Sequence, residues 1–528
     1  MPQSYDFESS HDFSCSTYRK AGQEPEISIH RPGLRLVARL KPASRIETAH
    51  CAEIVSQVKI DRVSILHQDR LFPSEPTIRS VARRLYETVR DLPIISPHGH
   101  TDARWFAENQ PFPDPATLFI VPDHYVFRML YSQGIPMEDL GIGKKELNAD
   151  EARKIWNRFA ENYYLFRGTP TRMWLDFAFE KLFGLEERLN ASNANLYYDT
   201  ISARLATPAF LPRALYEQFN MEVLTTTNPP LDPLTYHQAI RDSGWKARIL
   251  PTFRPDSVVD PEFDGFRQNV QRLGEMHGED SSKWQGYLLA LRHARDRFKK
   301  LGCTATDHGH PTARTADLSP SAAAALFDRV IAGTADAAGQ ELFRAQMLTE
   351  MARMSLEDGF VMQLHPGSRR NHNREIFKKF GRDVGADIPM PTDYVHALQP
   401  LLDRFGNCPS FTLILFTLDE SAYGRELAPL AGHYPCLRLG PPWWFFDSPE
   451  GMMRFRELTT ETAGFYNTVG FNDDTRAFLS IPARHDVARR VDCAYLARLV
   501  AEHQLDEDEA VEVAHALAYE LARKAYRL

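Results

Sequence analysis

Short runs of apolar residues recur along the chain, and most are separated by longer segments in which apolar and charged residues have helical spacing. Runs of this length between turn residues are typical of buried strands. Alternation of strand and helix predicts an α/β fold, a parallel (β/α)8 TIM barrel over residues 76–528. The eight runs are residues 92–98, 221–227, 246–253, 301–307, 359–365, 411–417, 435–440 and 465–471.

Three segments depart from this alternation. The first two runs are separated by a long stretch rich in aromatic residues, which predicts a helical insertion after strand 1 over about residues 105–218. Residues 484–528 have the spacing of C-terminal helices. Residues 1–75 are polar and short of apolar periodicity, which predicts a partly ordered or disordered N-terminal extension.

Composition and charge narrow the class of protein. The 528 residues are 43% apolar and 25% charged, with a formal net charge of −8. An acidic chain argues against nucleic acid or an anionic membrane surface as the main partner. No apolar run approaches the roughly 18 residues that a membrane span needs. With a polar, acid-bearing start and six cysteines in no metal or disulfide pattern, the sequence predicts a cytoplasmic enzyme.

Charged and imidazole side chains follow several predicted strands at the same end. His98 and His100 follow the first run, His365 ends the fifth, and Asp474 follows the eighth. Barrel active sites form at the carboxyl ends of strands, and alternate residues of a strand face the same way. Imidazole and carboxylate groups are ligands of Zn²⁺. We therefore predict a divalent metal site here, although each histidine taken alone fits an isolated core or surface position.

Other candidate residues have a structural interpretation beside the functional one. Tyr125 either packs within the insertion or faces the site, and Arg254 either binds a ligand or forms a salt bridge under its strand. Of Trp443 and Trp444, one is expected to pack and the other to line the site. The helix that begins near Arg484 is more consistent with a solvated face than with a binding role.

The segment TDHGHPTA, residues 306–313, places two histidines close to an aspartate. These are the ligand types of a metal site. The simpler interpretation is a loop after the fourth strand, with Asp307 in the wall of the active site. We take this simpler interpretation as the prediction.

Several blocks of the chain resemble, in the same order, those of the uronate isomerases, a branch of the amidohydrolase superfamily. The resemblance covers roughly residues 70–528, and this many blocks in one order is a specific signal. The blocks include DHYVFRMLYSQGI (123–135), TTTNPPLDPLTYH (225–237), PTFRPD (251–256), GCTATDHG (302–309), MQLHPGSRRNHN (362–373), WWFFDSPEGM (443–452), DDTRAF (473–478) and ARHDVARR (483–490).

The resemblance implies a barrel of the metal-dependent amidohydrolase type and an aldose–ketose isomerisation. The family interconverts D-glucuronate with D-fructuronate, and D-galacturonate with D-tagaturonate, through an enediol. The implied metal ligands are His98, His100 and Asp474, with His365 as a further ligand or a hydrogen-bond partner, and the implied ion is Zn²⁺. The implied partners are a small uronate substrate and further copies of the chain in a homo-oligomer.

The resemblance also implies roles for residues around the metal. His124 and Tyr125 match the pair placed near the substrate, Arg476 matches the arginine two residues after the ligand aspartate, and Asp474 or the His124–Tyr125 pair handles protons. Arginine forks suit a carboxylate because they bind it with two hydrogen bonds. The further pocket candidates are Arg128, Arg254, Arg369, Trp443 and Trp444.

Two other functions remain as alternatives. The same barrel and ligands serve metal-dependent hydrolases acting on small carboxylated substrates, in which the strand-8 aspartate activates a metal-bound water. Such hydrolases usually carry a histidine after strand 6, and FTLDESAYG (416–424) has none. A non-catalytic sugar-acid or metal-binding protein would not need proton-transfer groups beside the metal. Departures from the family pattern, such as TTNPP at 226–230, leave the preferred uronate open.

Overall fold

The structure, a computed structural model, describes residues 64–528 and four strands of the segment before them. The chain divides into two units, Met1–Val63 and Ser64–Leu528. The smaller unit contains an antiparallel sheet with the strand order β1-β2-β3-β4. Its other residues lie outside the described part, so the predicted partial order of the N-terminal extension is not otherwise addressed. The strands are β1 (Asp6–Ser9), β2 (Phe13–Tyr18), β3 (Glu26–Arg31) and β4 (Leu34–Arg39).

The larger unit begins before the predicted boundary near residue 75. Ser64 Oγ donates a hydrogen bond to Glu180 Oε1 over 2.8 Å. Arg70 Nη2 lies 2.6 Å from Asp486 Oδ2. Residues 64–75 therefore belong to the unit that carries the barrel, and the boundary lies between Val63 and Ser64. Besides these polar contacts, Leu66 is buried and Phe72 packs against Tyr86, but so few apolar residues give no periodic signal.

A seven-stranded parallel sheet forms the centre of the larger unit, in the order β13-β12-β9-β8-β7-β6-β5. Each of the first seven predicted runs contains one of these strands. The strands are β5 (Ile94–Ser96), β6 (Met221–Asn228), β7 (Arg248–Phe253), β8 (Ala305–His308), β9 (Val361–Leu364), β12 (Leu413–Leu415) and β13 (Leu437–Leu439), and a separate two-stranded ladder joins β10 (Ser368–Arg369) to β11 (Ile388–Pro389).

The eighth predicted run, residues 465–471, joins this sheet by one bridge between Leu439 and Thr468 rather than by a regular strand. Gly470 explains the interruption because its φ of +74° is not that of a strand. A Cβ at this position would lie 2.7 Å from the carbonyl oxygen of Leu517, so the close approach requires glycine. The described sheet is therefore a curled half-barrel, with seven strands where eight were predicted.

Register in the parallel ladder brings the carboxyl ends of the strands to one edge. His308 pairs with Leu364, so His308 and His365 leave neighbouring strands side by side. Asn228 pairs with Phe253, which places Arg254 at the same edge. His100 N donates to Thr475 O over 3.0 Å and so joins the segment after β5 to the segment after the eighth run. The predicted site residues therefore converge because the strands are parallel and in register.

Helices fill the segment between β5 and β6, where the helical insertion was predicted. They pack around a core of aromatic side chains, among them Phe106, Trp156 and Phe179. Trp156 donates its indole N–H to Ala194 O over 2.9 Å, so its polar atom is satisfied inside that core. The helices are Ala103–Glu108, Pro115–Phe119, His124–Tyr131, Ala149–Glu161, Pro170–Phe177, Ala194–Leu205 and Pro212–Gln218.

The remaining helices surround the sheet. Among the described residues, no helix is long and apolar enough to cross a membrane. The helices around the sheet are Pro76–Val89, Thr235–Asp242, Asp256–Val259, Phe266–His277, Trp284–Lys300, Pro320–Ala332, Ala337–Asp358, Arg374–Phe380, Val395–Phe405, Ala428–Ala431, Pro449–Ala463, Ile481–Ala501, Glu507–His515 and Leu521–Ala525.

The helix Ile481–Ala501 is buried, which corrects the expectation that it presents a solvated face. Arg484 and His485 are each 3% exposed. Arg484 pairs with Asp447, and His485 lies 3.2 Å from Asp473. Sequence spacing missed this because each charge on the inner face has a buried partner from another segment of the chain.

Tyr526, near the C-terminus, packs into the core formed by the central strands of the sheet. Its side chain is fully buried in a cluster with Ala305, Val361 and Ile414, residues of three central strands. Its hydroxyl donates to Gln363 Oε1 over 2.9 Å. A residue from the C-terminal helices therefore completes the core between β8, β9 and β12.

His237 gives the fold a predictable dependence on pH. Its Nε2 lies 2.8 Å from Thr226 Oγ1, and burial lowers the pKa of His237 to about 4. Between about pH 6.5 and 4 the unfolded chain therefore binds a proton that the folded chain does not. Stability is fully present above pH 6.5 and is lost as the pH falls, by on the order of 3 kcal/mol from this group.

The variant His237→Gln tests this expectation. It should unfold at a lower temperature than the unaltered protein at pH 7.5, and the gap should narrow as the pH falls toward 4.5. Thermal unfolding followed by circular dichroism at several pH values measures the gap. His396→Gln is the matched control, because His396 is exposed and its gap should be small at every pH. A gap for His237→Gln that does not change with pH would contradict the assignment.

Candidate active site

A cavity of about 450 Å³ opens at the carboxyl ends of the strands. Its wall combines side chains from strand ends, from the insertion and from the C-terminal helices. A cavity with charged groups converging on one point is the usual form of an active site. The polar residues in its wall include His100, Asp123, His124, Tyr125, Arg254, Asp256, Arg370, Asp383, Trp443, Trp444, Asp447, Asp474, Arg476 and Arg484.

His98, His100 and Asp474 form a compact group of metal-ligand types beside this cavity. Their ligand atoms lie within 4.8 Å of one another. Asp474 Oδ1 lies 3.3 Å from His98 Nε2 and 3.2 Å from His100 Nε2. The other carboxylate oxygen of Asp474 accepts a hydrogen bond from the indole N–H of Trp443. Asp474 has a φ of +38°, a conformation that costs free energy in a non-glycine residue and clusters at functional sites.

Two members of this group, Asp474 and His100, have protonation states that suit a divalent cation. Burial opposes charge on His98, but the carboxylates of Asp307 and Asp474 raise the pKa of its imidazole. Burial opposes charge on Asp474, but the neighbouring imidazoles of His98 and His100 hold the pKa of its carboxyl well below its usual range. Burial lowers the pKa of His100. An ionised carboxylate and neutral imidazole are the forms that bind a metal. Within the described residues, His98 Nδ1 also has no hydrogen-bond partner, so the donor set fits an ion such as Zn²⁺.

His365 belongs to a neighbouring group rather than to the same one. Its ligand nitrogen groups with His98 and Asp307, not with His100 and Asp474. His365 Nδ1 lies 2.8 Å from Asp307 Oδ1, and its ring centroid lies 4.9 Å from that of His98. The four predicted ligands therefore form two groups that share His98. Asp307 orients His365, as a carboxylate beside a metal-binding histidine commonly does.

Arg254 forms the salt bridges of its structural interpretation and also lies in the wall of the cavity, so its role in binding a ligand stays a prediction. Its guanidinium lines the cavity. The same group forms ion pairs with two carboxylates, Nε lying 3.1 Å from Asp256 Oδ2 and Nη1 lying 3.1 Å from Asp307 Oδ2. Burial opposes charge on Asp307, but His365 and Arg254 hold the pKa of its carboxyl well below the usual range. Arg254 is thus a structural cation within the wall of the site.

Gly309 allows Arg254, Asp256 and Arg370 to meet. Its N–H lies 3.2 Å and 3.1 Å from the two carboxylate oxygens of Asp256. A Cβ at this position would lie 2.8 Å from Asp256 Oδ2 and 3.1 Å from Arg370 Nη2, and closer still to Arg254. Real Cβ atoms are almost never so close to such groups, so a side chain here displaces the arginines.

The variant Gly309→Ala is therefore expected to lower kcat/KM by roughly 10- to 100-fold, because a displacement of about 1 Å in the site costs up to that much. Gly99→Ala is the matched control, since the nearest atoms to its added Cβ lie at 3.5 Å, an ordinary contact. Steady-state kinetics of both variants measure the effect. Equal activities of Gly309→Ala and the unaltered protein would show that the arginines move aside without consequence.

Tyr125 lines the cavity, and its hydroxyl both donates and accepts a hydrogen bond within the protein. It donates to Asp447 Oδ1 over 2.6 Å and accepts from the backbone N–H of Phe445 over 2.9 Å. Asp447 in turn pairs with Arg484 Nη1 at 2.8 Å. Burial and the adjacent Asp447 raise the pKa of Tyr125 well above its usual range. Tyr125 is therefore a protonated, fixed phenol.

His124 and Arg476 face the cavity from opposite segments. Burial and the charge of Arg476 lower the pKa of His124 to about 3, so its imidazole is neutral near pH 7. Asp123 starts this helix by accepting the N–H of Tyr125 over 2.8 Å, which fixes the position of His124. Arg476 Nη2 lies 3.7 Å from Asp383 Oδ2.

Arg476 lies farther from its carboxylate partner than the other described arginines of the cavity wall lie from theirs. Among the described residues, the other cavity arginines each lie within about 3.1 Å of a carboxylate oxygen, whereas the separation at Arg476 is 3.7 Å. Its guanidinium therefore has donors free for a ligand. The other pairs are Arg254–Asp256, Arg370–Asp387, Arg382–Asp264 and Arg484–Asp447.

Two predicted pocket residues do not line the cavity. Arg369 is exposed in β10, and its neighbour Arg370 lies in the wall instead. The guanidinium of Arg128 lies 4.7 Å from the ring centroid of Phe445. Their binding roles stay predictions: a strand pattern does not say which of two adjacent arginines turns inward, and Arg128 lies in the last turn of its helix.

Trp443 and Trp444 both line the cavity, whereas one was expected to pack and the other to line it. Trp443 does both, since its ring centroid lies 4.7 Å from that of His365. Sequence reasoning missed several residues of the wall because they lie in loops or at helix starts, where no periodic signal exists. These are Asp123, Asp260, Phe263, Arg370, Arg382, Asp383, Asp387 and Asp447.

Comparison with known proteins agrees with this geometry. A model of the glucuronate isomerase family matches residues 75–526. A uronate isomerase from Rhizorhabdus wittichii is 63% identical over 463 residues, which is 88% of this chain and 98% of the relative. A uronate isomerase from Mesorhizobium japonicum is 63% identical over 468 residues, 88% of this chain and 100% of the relative.

Solved structures show the same fold. The crystal structure of a glucuronate isomerase from Caulobacter crescentus has a TM-score of 0.86 at 59% sequence identity, covering 88% of this chain and 97% of that chain. That of a uronate isomerase from Thermotoga maritima has a TM-score of 0.82 at 28% identity, covering 87% and 99%. The alternative of a hydrolase is therefore not supported. The chain belongs to the glucuronate isomerase family and is an isomerase.

Proposed function

We propose that the protein interconverts D-glucuronate with D-fructuronate, and D-galacturonate with D-tagaturonate, through a cis-enediol. The observation that carries this proposal is the arrangement around one cavity of an ionised metal-ligand group, a neutral imidazole and an arginine with free donors. Moving a proton from C2 to C1 needs a base, a group that stabilises an oxyanion and a cation for the C6 carboxylate. The cavity wall supplies a side chain for each of these.

We assign a divalent cation, Zn²⁺ by preference, to His98, His100 and Asp474, with His365 beside it. A cation bound there supplies a Lewis acid that polarises or anchors substrate oxygens. Asp474 is held by the indole N–H of Trp443, so the carboxylate has a fixed orientation. Partners of this kind set the direction of metal ligands and are part of the site.

The neutral imidazole of His124 makes this residue the preferred candidate for the group that transfers the proton. Its imidazole is neutral near pH 7 because of burial and the charge of Arg476. An anionic substrate beside Arg476 offsets that charge, which raises the proton affinity of His124 when it is needed. Arg476 itself is placed to stabilise the enediolate. Asp474 is the remaining candidate base.

Tyr125 is proposed as a positioning residue because both sides of its hydroxyl are occupied. Tyr125→Phe should lower kcat by about tenfold with little change in KM, since a lost hydrogen bond to a buried carboxylate is worth roughly 1.5–3 kcal/mol. Steady-state kinetics with the unfolding temperature as a second readout measure this. Full turnover in Tyr125→Phe would remove Tyr125 from the mechanism. A loss of more than 1,000-fold would make it a catalytic residue instead.

Proton NMR in D₂O tests the reaction directly. The purified protein, loaded with Zn²⁺, is incubated with D-glucuronate and separately with D-galacturonate. Appearance of ketose signals with deuterium entering the carbon-bound positions is expected, because an enediol exchanges its proton with solvent. No turnover of either sugar by Zn²⁺-loaded protein would contradict the proposal and point to another sugar acid.

We further propose that the protein acts in the cytoplasm as a homo-oligomer. The described cysteines, Cys303, Cys408, Cys436 and Cys493, are free thiols, which suits a reducing compartment. A homo-oligomer is the assembly that the resemblance to the uronate isomerases implies. Light scattering coupled to gel filtration tests the assembly, and a monomeric mass would contradict it.

A further inference from the structure

A second group of metal-ligand residues extends from Asp256 in the wall of the cavity to two buried histidines behind it. The ligand atoms of Asp256, His308 and His310 are within 4.8 Å of one another. This group shares no residue with the first group or with the His365 group. Arg254 separates the two regions, since it pairs with Asp256 on one side and with Asp307 on the other.

The two imidazoles of this group have unusual surroundings. His308 is 0% and His310 is 2% exposed. Within the described part of the chain, neither ring nitrogen of His310 has a hydrogen-bond partner, and His308 Nδ1 has none. A buried polar atom left unpaired costs about 1–3 kcal/mol. Native proteins therefore seldom leave such atoms unpaired unless a water or an ion satisfies them.

The carboxylate of the group is already oriented. Asp256 begins the helix Asp256–Val259. Its oxygens accept from the N–H of Gly309 and pair with Arg254 Nε at 3.1 Å. Such outer partners fix the direction of a ligating carboxylate and leave lone pairs for a cation. His308 Nε2 lies 3.0 Å from Thr306 Oγ1, which leaves Nδ1 as its free ligand atom.

The charges near this group permit a cation despite Arg254. The carboxylates of Asp256, Asp260 and Glu341 favour a positive charge at His310, whereas the guanidinium of Arg344 disfavours one. Arg344 is itself paired with Asp260 at 2.9 Å and with Glu341 at 2.7 Å. Burial keeps both imidazoles neutral, the form in which histidine binds a metal.

We propose that Asp256, His308 and His310 form a second divalent-cation site, for a borderline first-row ion such as Zn²⁺ or Co²⁺. Two imidazole nitrogens and one carboxylate oxygen are a ligand set that these ions accept. The proposal does not rest on the isomerase reaction. A cation there would hold the loop after β8 against the helix Asp256–Val259 and would thereby fix Arg254 in the wall of the cavity.

Metal stoichiometry tests the proposal in the full chain. The protein is stripped with a chelator, dialysed, reloaded with Zn²⁺ or Co²⁺, and its metal content is measured by mass spectrometry. Two equivalents per chain are expected, together with two components in the visible absorption of the Co²⁺ form. The variant His310→Asn should bind one equivalent, at the site that contains His98. The variant His98→Asn should also bind one equivalent, at the site that contains His310. The double variant should bind neither.

Matched variants separate this site from incidental effects. His396→Asn removes an exposed histidine and should still bind two equivalents. His308→Gln is the second variant at the site, and circular dichroism checks that each variant is folded. A single equivalent in the unaltered protein that survives both His310→Asn and His308→Gln would overturn the proposal and assign ordered water to these nitrogens. Turnover can fail while two equivalents bind, so the test is independent of the proposed reaction.

Discussion

Asp474→Asn is expected to lower kcat/KM by on the order of 1,000-fold or more. The substitution keeps the shape of the side chain but removes the negative charge that lies 3.3 Å from His98 Nε2 and 3.2 Å from His100 Nε2. It also weakens the hydrogen bond from Trp443, because an amide oxygen is a poorer acceptor than a carboxylate. Loss of a positioned proton-transfer group costs about 10²–10⁴-fold, and a weakened metal site adds to that loss.

The neighbouring carboxylate provides the control. Asp473 is buried, does not line the cavity, and lies 3.2 Å from His485 Nε2. Asp473→Asn should therefore lower the unfolding temperature while leaving kcat/KM within about tenfold of the unaltered protein. Steady-state kinetics and zinc content of the two variants are compared. If Asp473→Asn abolished turnover and Asp474→Asn did not, the roles of the two aspartates would be exchanged.

Arg254→Met is expected to cost about 3–5 kcal/mol of stability, since breaking a buried ion pair leaves an uncompensated charge. The fully buried Asp307 would keep the imidazoles of His365 and His98 but lose its arginine, and Asp256 would lose its guanidinium. Turnover should fall by at least about 100-fold, because Arg254 and Asp256 form part of the cavity wall and Asp256 is displaced. Chemical denaturation and kinetics of the same preparation measure both effects.

Arg128→Met is the matched control for this substitution. The sequence pattern made Arg128 and Arg254 equal pocket candidates, but the described contacts of Arg128 centre on the ring of Phe445. Removing it should cost about 1–2 kcal/mol, the usual strength of a half-buried cation–π contact and less than that expected for Arg254→Met. Equal losses in the two variants would contradict the structural role assigned to Arg254.

The strands and their order could be predicted from the sequence because each buried strand is a short apolar run. The eighth predicted run does not form a regular strand, since Gly470 turns the backbone away from the extended conformation within it. The burial of Arg484 and His485 was also missed. Periodicity records which side chains are apolar, and it does not record that a charged side chain has a partner elsewhere in the chain.

The first metal group was predictable because its members follow strands whose ends must meet. The histidine pair at 98 and 100 and Asp474 lie where the parallel register brings them together. Asp383 and Arg382 are in the same wall but come from a loop, so no pattern placed them there. Arg369 and Arg370 show the remaining difficulty, because the direction of a side chain just after a strand depends on backbone angles that the sequence does not reveal.

The position of Tyr526 has a consequence for how the protein is made. The strands β8, β9 and β12 leave the ribosome long before Tyr526, which fills the space between them and donates to Gln363. Arg484, the counter-charge of Asp447, also emerges late. A nascent chain therefore holds an incomplete core and an unanchored Tyr125 until translation has passed these residues. Incomplete cores expose apolar surface, so we expect a product truncated before Arg484 to lack activity and to be cleaved by proteases faster than the full chain.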